Sequence, residues 1–252
     1  MLTVAARKVL SIARKMPGMR LGFYAEFREY IVHKTGLEIG GPSGTFSDGG
    51  ILPTYRYVKA MDNVVFSSST VWEGTREEGR TFIFHPGKPA GWNYVTEASD
   101  LSRISDGSYD FLVAAHCLEH IANPLRALLE WRRVLKFDGR MVVIVPNYRK
   151  TFDQKRQPTS VEHMLEDYSN NVGEDDMTHL PEILQLHDLR RDRPAGTLEQ
   201  FKMRALQNYQ LRCLHHHVFD KHNSCKLLQA AGLKVVAVET ALPHHIALLA
   251  HL

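Results

Sequence analysis

The sequence is poor in cysteine: Cys117, Cys213 and Cys225 are the three present, and none forms a Cys-x-x-Cys pair. Three thiols so spaced exclude a disulfide framework. Charge of one sign is also scarce, since Lys plus Arg number 31 against 28 for Asp plus Glu, a formal net charge of +3. A nucleic-acid coat or a polybasic membrane tether needs a clear cationic excess, and no basic-aromatic platform is visible. Nothing approaches the roughly eighteen consecutive apolar residues of a transmembrane helix. Arg7, Lys8, Arg14 and Lys15 interrupt the apolar core a signal peptide would need. No repeat or low-complexity tract occurs, and a hydrophobic content of 44% excludes global disorder. These absences lead to the expectation of a soluble globular protein of the cytoplasm, with its oligomeric state left open. Histidine is the one excess, with fourteen residues.

Leu2, Ala5, Val9, Ile12 and Met16 recur at helical spacing and predict an N-terminal helix packed across the domain. A second helix is expected over 23–33, so that residues 1–34 form a helical lead-in. From Gly36 the pattern changes to short buried strands. Strands are expected over 36–39, over 55–61 ending at Asp62, and over 92–98, with an irregular excursion across 75–91. Phe111 to Ala115 is continuously apolar, as in a strand covered on both faces of a parallel sheet. Asn123 then offers an N-cap and Pro124 a first helical position, where its missing N–H costs nothing. Leu125, Leu128, Leu129 and Leu135 keep one face apolar, and Asp138-Gly139 is expected to end that helix before the strand Met141 to Val145. Strand, helix and strand at this spacing make a right-handed crossover.

Residues 147–214 break the alternation with polar, charged stretches that read as helices in pieces, near 160–168, 180–189 and 198–211. Alternation resumes with a helix through Leu227, Leu228 and Ala231, then two strands over 233–241 and 246–252. The expected fold is α/β, Rossmann-like, with a seven-stranded mostly parallel sheet and helices on both faces. The parts are 35–146 and 215–252 as the binding domain and 147–214 as a helical insertion after the fifth strand.

Glu38-Ile39-Gly40-Gly41-Pro42-Ser43-Gly44 is a glycine-rich turn directly after the first strand, where backbone can approach a ligand closely. Asp62, at the expected end of the second strand, is placed to accept both hydrogen bonds of a ribose diol. Dinucleotide enzymes share these two features. Three further blocks narrow the choice: Glu97-Ala98-Ser99-Asp100-Leu101, Asp106-Gly107-Ser108-Tyr109-Asp110 and His116-Cys117-Leu118-Glu119-His120-Ile121. Together with the stretch from His217 to Leu233, they resemble the class I S-adenosylmethionine-dependent methyltransferases, in particular the small-molecule branch called type 11. The resemblance covers about 36–146 and 216–252.

That resemblance implies S-adenosyl-L-methionine as cofactor and methyl transfer as the activity. It implies that Glu38, Gly40, Gly41 and Gly44 shape the methionine-side pocket and that Asp62 holds the ribose. Glu97 would accept from the adenine amino group, the Ala98 amide would face the ring, and His116 would lie near the transferring methyl. The last strand would run antiparallel. Pro42 departs from the pattern, because it stands where a third glycine is usual and has no N–H to offer. The usual first helix is shortened or lost across 45–54. A non-catalytic cofactor-fold module serving a partner enzyme is the alternative these departures favour.

The insertion is expected to fold over the cofactor mouth as a substrate lid. His163 shares a helix face with Asp167 four residues on and is the favoured base, with His179 the second candidate; the acceptor is expected to be a small polar molecule such as a sugar or a natural-product hydroxyl. His215, His216 and His217 are adjacent, so their rings cannot all meet one ion from a regular element. No zinc spacing is present, and no bound metal is expected.

Overall fold

The computed structural model describes residues 19–70 and 74–252. The expected N-terminal helix over 2–16 lies outside them. Helix α1 spans Tyr24–Ile31, close to the expected second helix, and buries Phe27 and Ile31. The strands are β1 (Thr35–Ile39), β2 (Ala60–Val65), a short β3–β4 hairpin (Ser69–Thr70 and Gly74–Thr75), β5 (Gly79–Phe82), β6 (Gly91–Val95), β7 (Tyr109–Ala115), β8 (Leu135–Pro146), β9 (Lys234–Ala241) and β10 (His245–His251). Between them lie α2 (Pro124–Arg133), α3 (Val161–Ser169), α4 (Leu180–Leu186), α5 (Leu198–Ala205), α6 (Asn208–Leu211) and α7 (Lys221–Ala230). No described helix is long and apolar enough to cross a membrane.

One eight-stranded sheet carries the order β5-β6-β2-β1-β7-β8-β10-β9. Strands β6, β2, β1, β7 and β8 are parallel, while β5 and β10 run antiparallel to their neighbours at β6 and β8. The expected seven strands are therefore all present, with β10 antiparallel as anticipated. The eighth, β5, comes from the excursion expected to be irregular. Period-2 alternation splits the core between the two faces. Leu37, Leu112, Ala114, Met141, Val143 and Leu248 pack one face against Trp131, Leu128, Leu227 and Leu228 of α2 and α7. On the other, Phe111, Val113, Val142, Ile144, Ala247 and Leu249 meet Phe27 and Ile31 of α1, with Phe46, Leu52 and Tyr55 from the loop after β1. Gly36 of β1 has to be small, since an added Cβ would fall 2.1 Å from Phe111 Cζ.

Three boundaries differ from expectation. Residues 55–59 turn rather than extend: Tyr55 and Val58 bury into the second core from a loop, and β2 begins only at Ala60. Helix α2 opens as expected, with Asn123 Oδ1 accepting from the Arg126 amide at 3.1 Å. It stops at Arg133, and Asp138-Gly139 lies inside β8 rather than at the helix end. There the register against β7 shifts between Tyr109↔Leu135 and Phe111↔Arg140, so these residues form an irregular extension of the strand. Residues 42–59 hold no helix, in agreement with the lost first helix. The insertion is helical in four pieces and has its own small core of Ile183, Ala195, Phe201, Ala205, Cys213 and Leu214.

Candidate functional site

Beside β1 the strand order reverses: β2 and β6 lie on one side, β7 and β8 on the other. A crevice outside the carboxyl ends of the strands at such a point is where an open α/β sheet takes a ligand. Gly40 leaves β1 in the left-handed region, φ 74°, and donates its amide to Val64 O at 2.8 Å. A Cβ there would lie 2.4 Å from Cys117 Sγ, so this glycine lets the turns after β1 and β7 touch. The Gly41 amide donates to Asn63 Oδ1 at 2.8 Å, and Asn63 Nδ2 donates to Asn93 Oδ1 at 2.8 Å, a buried amide ladder from β6 through β2 to the turn. Glu38 is wholly buried; its carboxylate accepts from the Ser43 amide at 2.8 Å and the Tyr55 hydroxyl at 2.9 Å. It shapes the turn from beneath, and a Cβ on Gly41 would strike it. At Gly44 an added Cβ meets nothing within 4 Å, so the turn opens outward there.

Asp62 is not at the end of β2. It sits in mid-strand opposite Leu37, where Oδ1 accepts from the Trp92 amide at 2.7 Å and Oδ2 from the Tyr109 hydroxyl at 2.8 Å. Both oxygens are spent on joining β2 to β6 and β7, which corrects the expected ribose role. At the actual end of β2 stand Phe66, Ser67 and Ser68, and no carboxylate. Glu97 does follow the third parallel strand, as expected, beside half-buried Ala98, whose carbonyl accepts from Trp131 Nε1 at 2.9 Å. The Glu97 carboxylate meets Arg212 Nη2 at 2.6 Å. Arg212 also contacts Glu174 at 2.7 Å and lies 5.1 Å over the Phe66 ring. Burial and the nearby Glu97 charge push the Glu174 carboxyl up to about 7 against the pull of Arg212.

At the end of β7, His116 takes a left-handed conformation, φ 56°. Its Nε2 lies 2.8 Å from His245 Nδ1, its Nδ1 lies 3.4 Å from Glu119 Oε1, and the His244 ring is 5.3 Å away. Burial, with the adjoining His116 charge, pushes His245 down to about 3 and His244 down to about 4. Neither Arg212 nor the His244-His245 pair was among the candidates read from sequence. The one available signal was the run of paired histidines after Pro243.

His163 and His179, the two candidate bases, are brought together: their Nε2 atoms lie 3.1 Å apart. Asp167 Oδ2 is 3.6 Å from His163 Nε2 and 3.6 Å from His217 Nε2. The three adjacent histidines diverge, as their spacing requires. His215 meets Asp153 at 2.5 Å, His216 meets Asn208 Nδ2 at 3.1 Å, and His217 Nε2 donates to Ala122 O at 3.1 Å.

The sheet order and the glycine turn at the carboxyl end of β1 are those of a Rossmann-like α/β protein. The chain belongs to the methyltransferase-domain family, which matches residues 18–238, and is a class I, S-adenosylmethionine-dependent methyltransferase. Solved structures share its fold. They include an S-adenosylmethionine-dependent methyltransferase from Mesorhizobium loti, 10% identical over 92% of this chain and 98% of that one, with a TM-score of 0.52. Another is the 1,6-didemethyltoxoflavin-N1-methyltransferase of Burkholderia thailandensis, 12% identical over 98% of this chain and 82% of that one, with a TM-score of 0.50. No curated protein matches the sequence. The residues at the edge leave room for the cofactor at the outward-opening turn from Gly40 to Gly44, while both oxygens of half-exposed Glu97 accept from Arg212. The edge residues do not fit the expected ribose contact through Asp62.

Proposed function

We propose that this methyltransferase modifies a hydroxyl of a small polar acceptor, such as a sugar or natural product, which enters beneath residues 147–214. When bound, S-adenosylmethionine supplies a methyl group already activated on a sulfonium and departs as S-adenosylhomocysteine. Gly40, Gly41 and Gly44 would hold its methionine end, and Glu97 with the Ala98 amide would hold adenine, once Glu97 shares or releases Arg212. The observation that carries the reading is the His116, Glu119 and His245 group at the mouth of β7. A hydroxyl must lose its proton as the methyl arrives, and an imidazole backed by a carboxylate and held at the strand end can take it. His116 is preferred to His163 and His179 because it stands at the carboxyl end of β7 whereas they lie in residues 147–214; its Nε2 serves as the base once it leaves His245 for the acceptor. Residues 147–214 serve as the lid, positioning the acceptor and excluding water.

The test is turnover against a panel of sugars and hydroxylated natural products, read as S-adenosylhomocysteine released. His116→Asn should lower kcat by about 10²–10⁴ with cofactor affinity retained. Methylation confined to amine or thiol acceptors, or full activity in His116→Asn, would overturn this reading.

A further inference from the structure

One helix of the insertion, the residue that precedes the next helix and the irregular segment that returns to the sheet converge on four side chains. His163 and Asp167 stand four residues apart on one face of α3, where side chains meet. His179 directly precedes α4, and His217 lies in the segment that returns to the sheet. One ligand atom from each falls within 4.8 Å of all the others. A tetrahedron with metal–ligand arms of about 2.0–2.1 Å has edges of about 3.3–3.4 Å. Two of the six edges, 3.1 Å between His163 and His179 and 3.6 Å between His163 and Asp167, bracket that value, and all six lie within 4.8 Å.

Two polar atoms in the cluster have no hydrogen-bond partner despite full burial, Asp167 Oδ2 and His217 Nδ1. A buried carboxylate oxygen left without a donor is costly, and a cation supplies what the protein withholds. The tautomer of His217 is set by its surroundings. A carbonyl can only accept, so Nε2 carries the proton given to Ala122 O and Nδ1 keeps the lone pair. A backbone carbonyl that holds one ring nitrogen and leaves the other its lone pair is the usual support of a metal-ligating imidazole. The charge is also suitable: besides Asp167, the carboxylates of Glu166 and Asp176 act on the same spot.

We infer that His163, Asp167, His179 and His217 form a binding site for a divalent transition metal, zinc by the chemistry of three imidazoles and one carboxylate. With four protein ligands the site is closed, so the ion's work is structural. It fastens α3 and the start of α4 to the residue that hydrogen-bonds Ala122, beside the carboxyl end of β7. The inference is independent of which acceptor is methylated.

Tag-free protein, stripped with chelator, would be titrated with zinc by calorimetry and with cobalt by visible spectroscopy. The expected results are one zinc per chain and the visible d–d bands of tetrahedral cobalt. His163→Ala, at a half-exposed position, and Asp167→Asn should each weaken zinc binding by at least about 100-fold and abolish the cobalt bands. The exposed His222→Ala serves as control and should bind as wild type. Circular dichroism confirms that the variants fold; because His163 is half exposed, its variant keeps the test valid if Asp167→Asn does not fold. Absence of stoichiometric metal in the wild type, or unchanged binding in His163→Ala, would overturn the site.

Discussion

Arg212 Nη2 lies 2.6 Å from Glu97 Oε1, so the end of the insertion is ion-paired to the turn that follows β6. The same guanidinium holds Glu174, and that second pair is nearly closed to solvent, with side chains 8% and 10% exposed. Removing the cation from a buried pair costs about 3–5 kcal/mol, because the remaining charge is uncompensated. Glu174 can escape by protonation, since burial has raised its carboxyl to about 7. Arg212→Ala should therefore lower the urea midpoint strongly at pH 8 and much less at pH 6. Equal losses at both pH values would show that Glu174 does not depend on Arg212.

Asp62→Ala leaves the Trp92 amide and the Tyr109 hydroxyl without their acceptor. The expected cost is about 1–3 kcal/mol of stability, seen as a lower denaturant midpoint. Calorimetric affinity for S-adenosylhomocysteine should stay near wild type in the folded variant. A large loss of affinity at undiminished stability would return Asp62 to the ribose.

Gly40 and Gly44 should separate fold from ligand. Gly40→Ala strains a left-handed residue and drives a Cβ to 2.4 Å from Cys117 Sγ, so it should lower the melting temperature. Gly44→Val enters open space. It should leave the melting temperature alone and weaken cofactor binding by filling the outward side of the turn. If Gly44→Val binds S-adenosylhomocysteine as tightly as wild type, the turn does not hold the methionine end there.

Acid should loosen the histidine-rich mouth. Burial first, then the neighbouring His116 charge, depresses His244 to about 4 and His245 to about 3, against the opposing pull of Glu119. Between their ordinary value near 6.5 and those values, the unfolded chain binds more protons than the folded one. Their contribution to stability is present above pH 6.5 and drains away as pH falls toward 4. Glu174 works in the opposite sense over part of this range, so the comparison is differential. Wild type should lose more stability from pH 7.5 to 5 than His245→Asn does. Parallel losses in the two proteins would contradict the burial of a neutral His245.

How much was legible depended on whether local pattern and tertiary setting agreed. Phe111 to Ala115 and Met141 to Val145 are apolar on both faces because both faces are covered, so β7 and β8 could be read directly. Asn123 and Pro124 marked the start of α2 through chemistry that is local to a helix end. Tyr55 and Val58 misled because a loop buried in the second core shows the same apolar residues as a strand. That shifted the end of β2 and put Asp62 at the wrong place. The pairing of His163 with Asp167 was visible as a four-residue spacing, but His179 and His217 join them only through tertiary folding. Arg212 gave no local sign at all, since its partners Glu97 and Glu174 are remote in sequence.

The most direct test of the account is a crystal structure of the full chain with S-adenosylhomocysteine. The account predicts one molecule at the carboxyl ends of β1, β6 and β7, with its amino acid end against the turn from Gly40 to Gly44. Its adenine should meet Glu97, its sulfur should point toward His116, and Asp62 should remain bonded to Trp92 and Tyr109. A ligand bound elsewhere, or a saturating soak that leaves this edge without one, would contradict it.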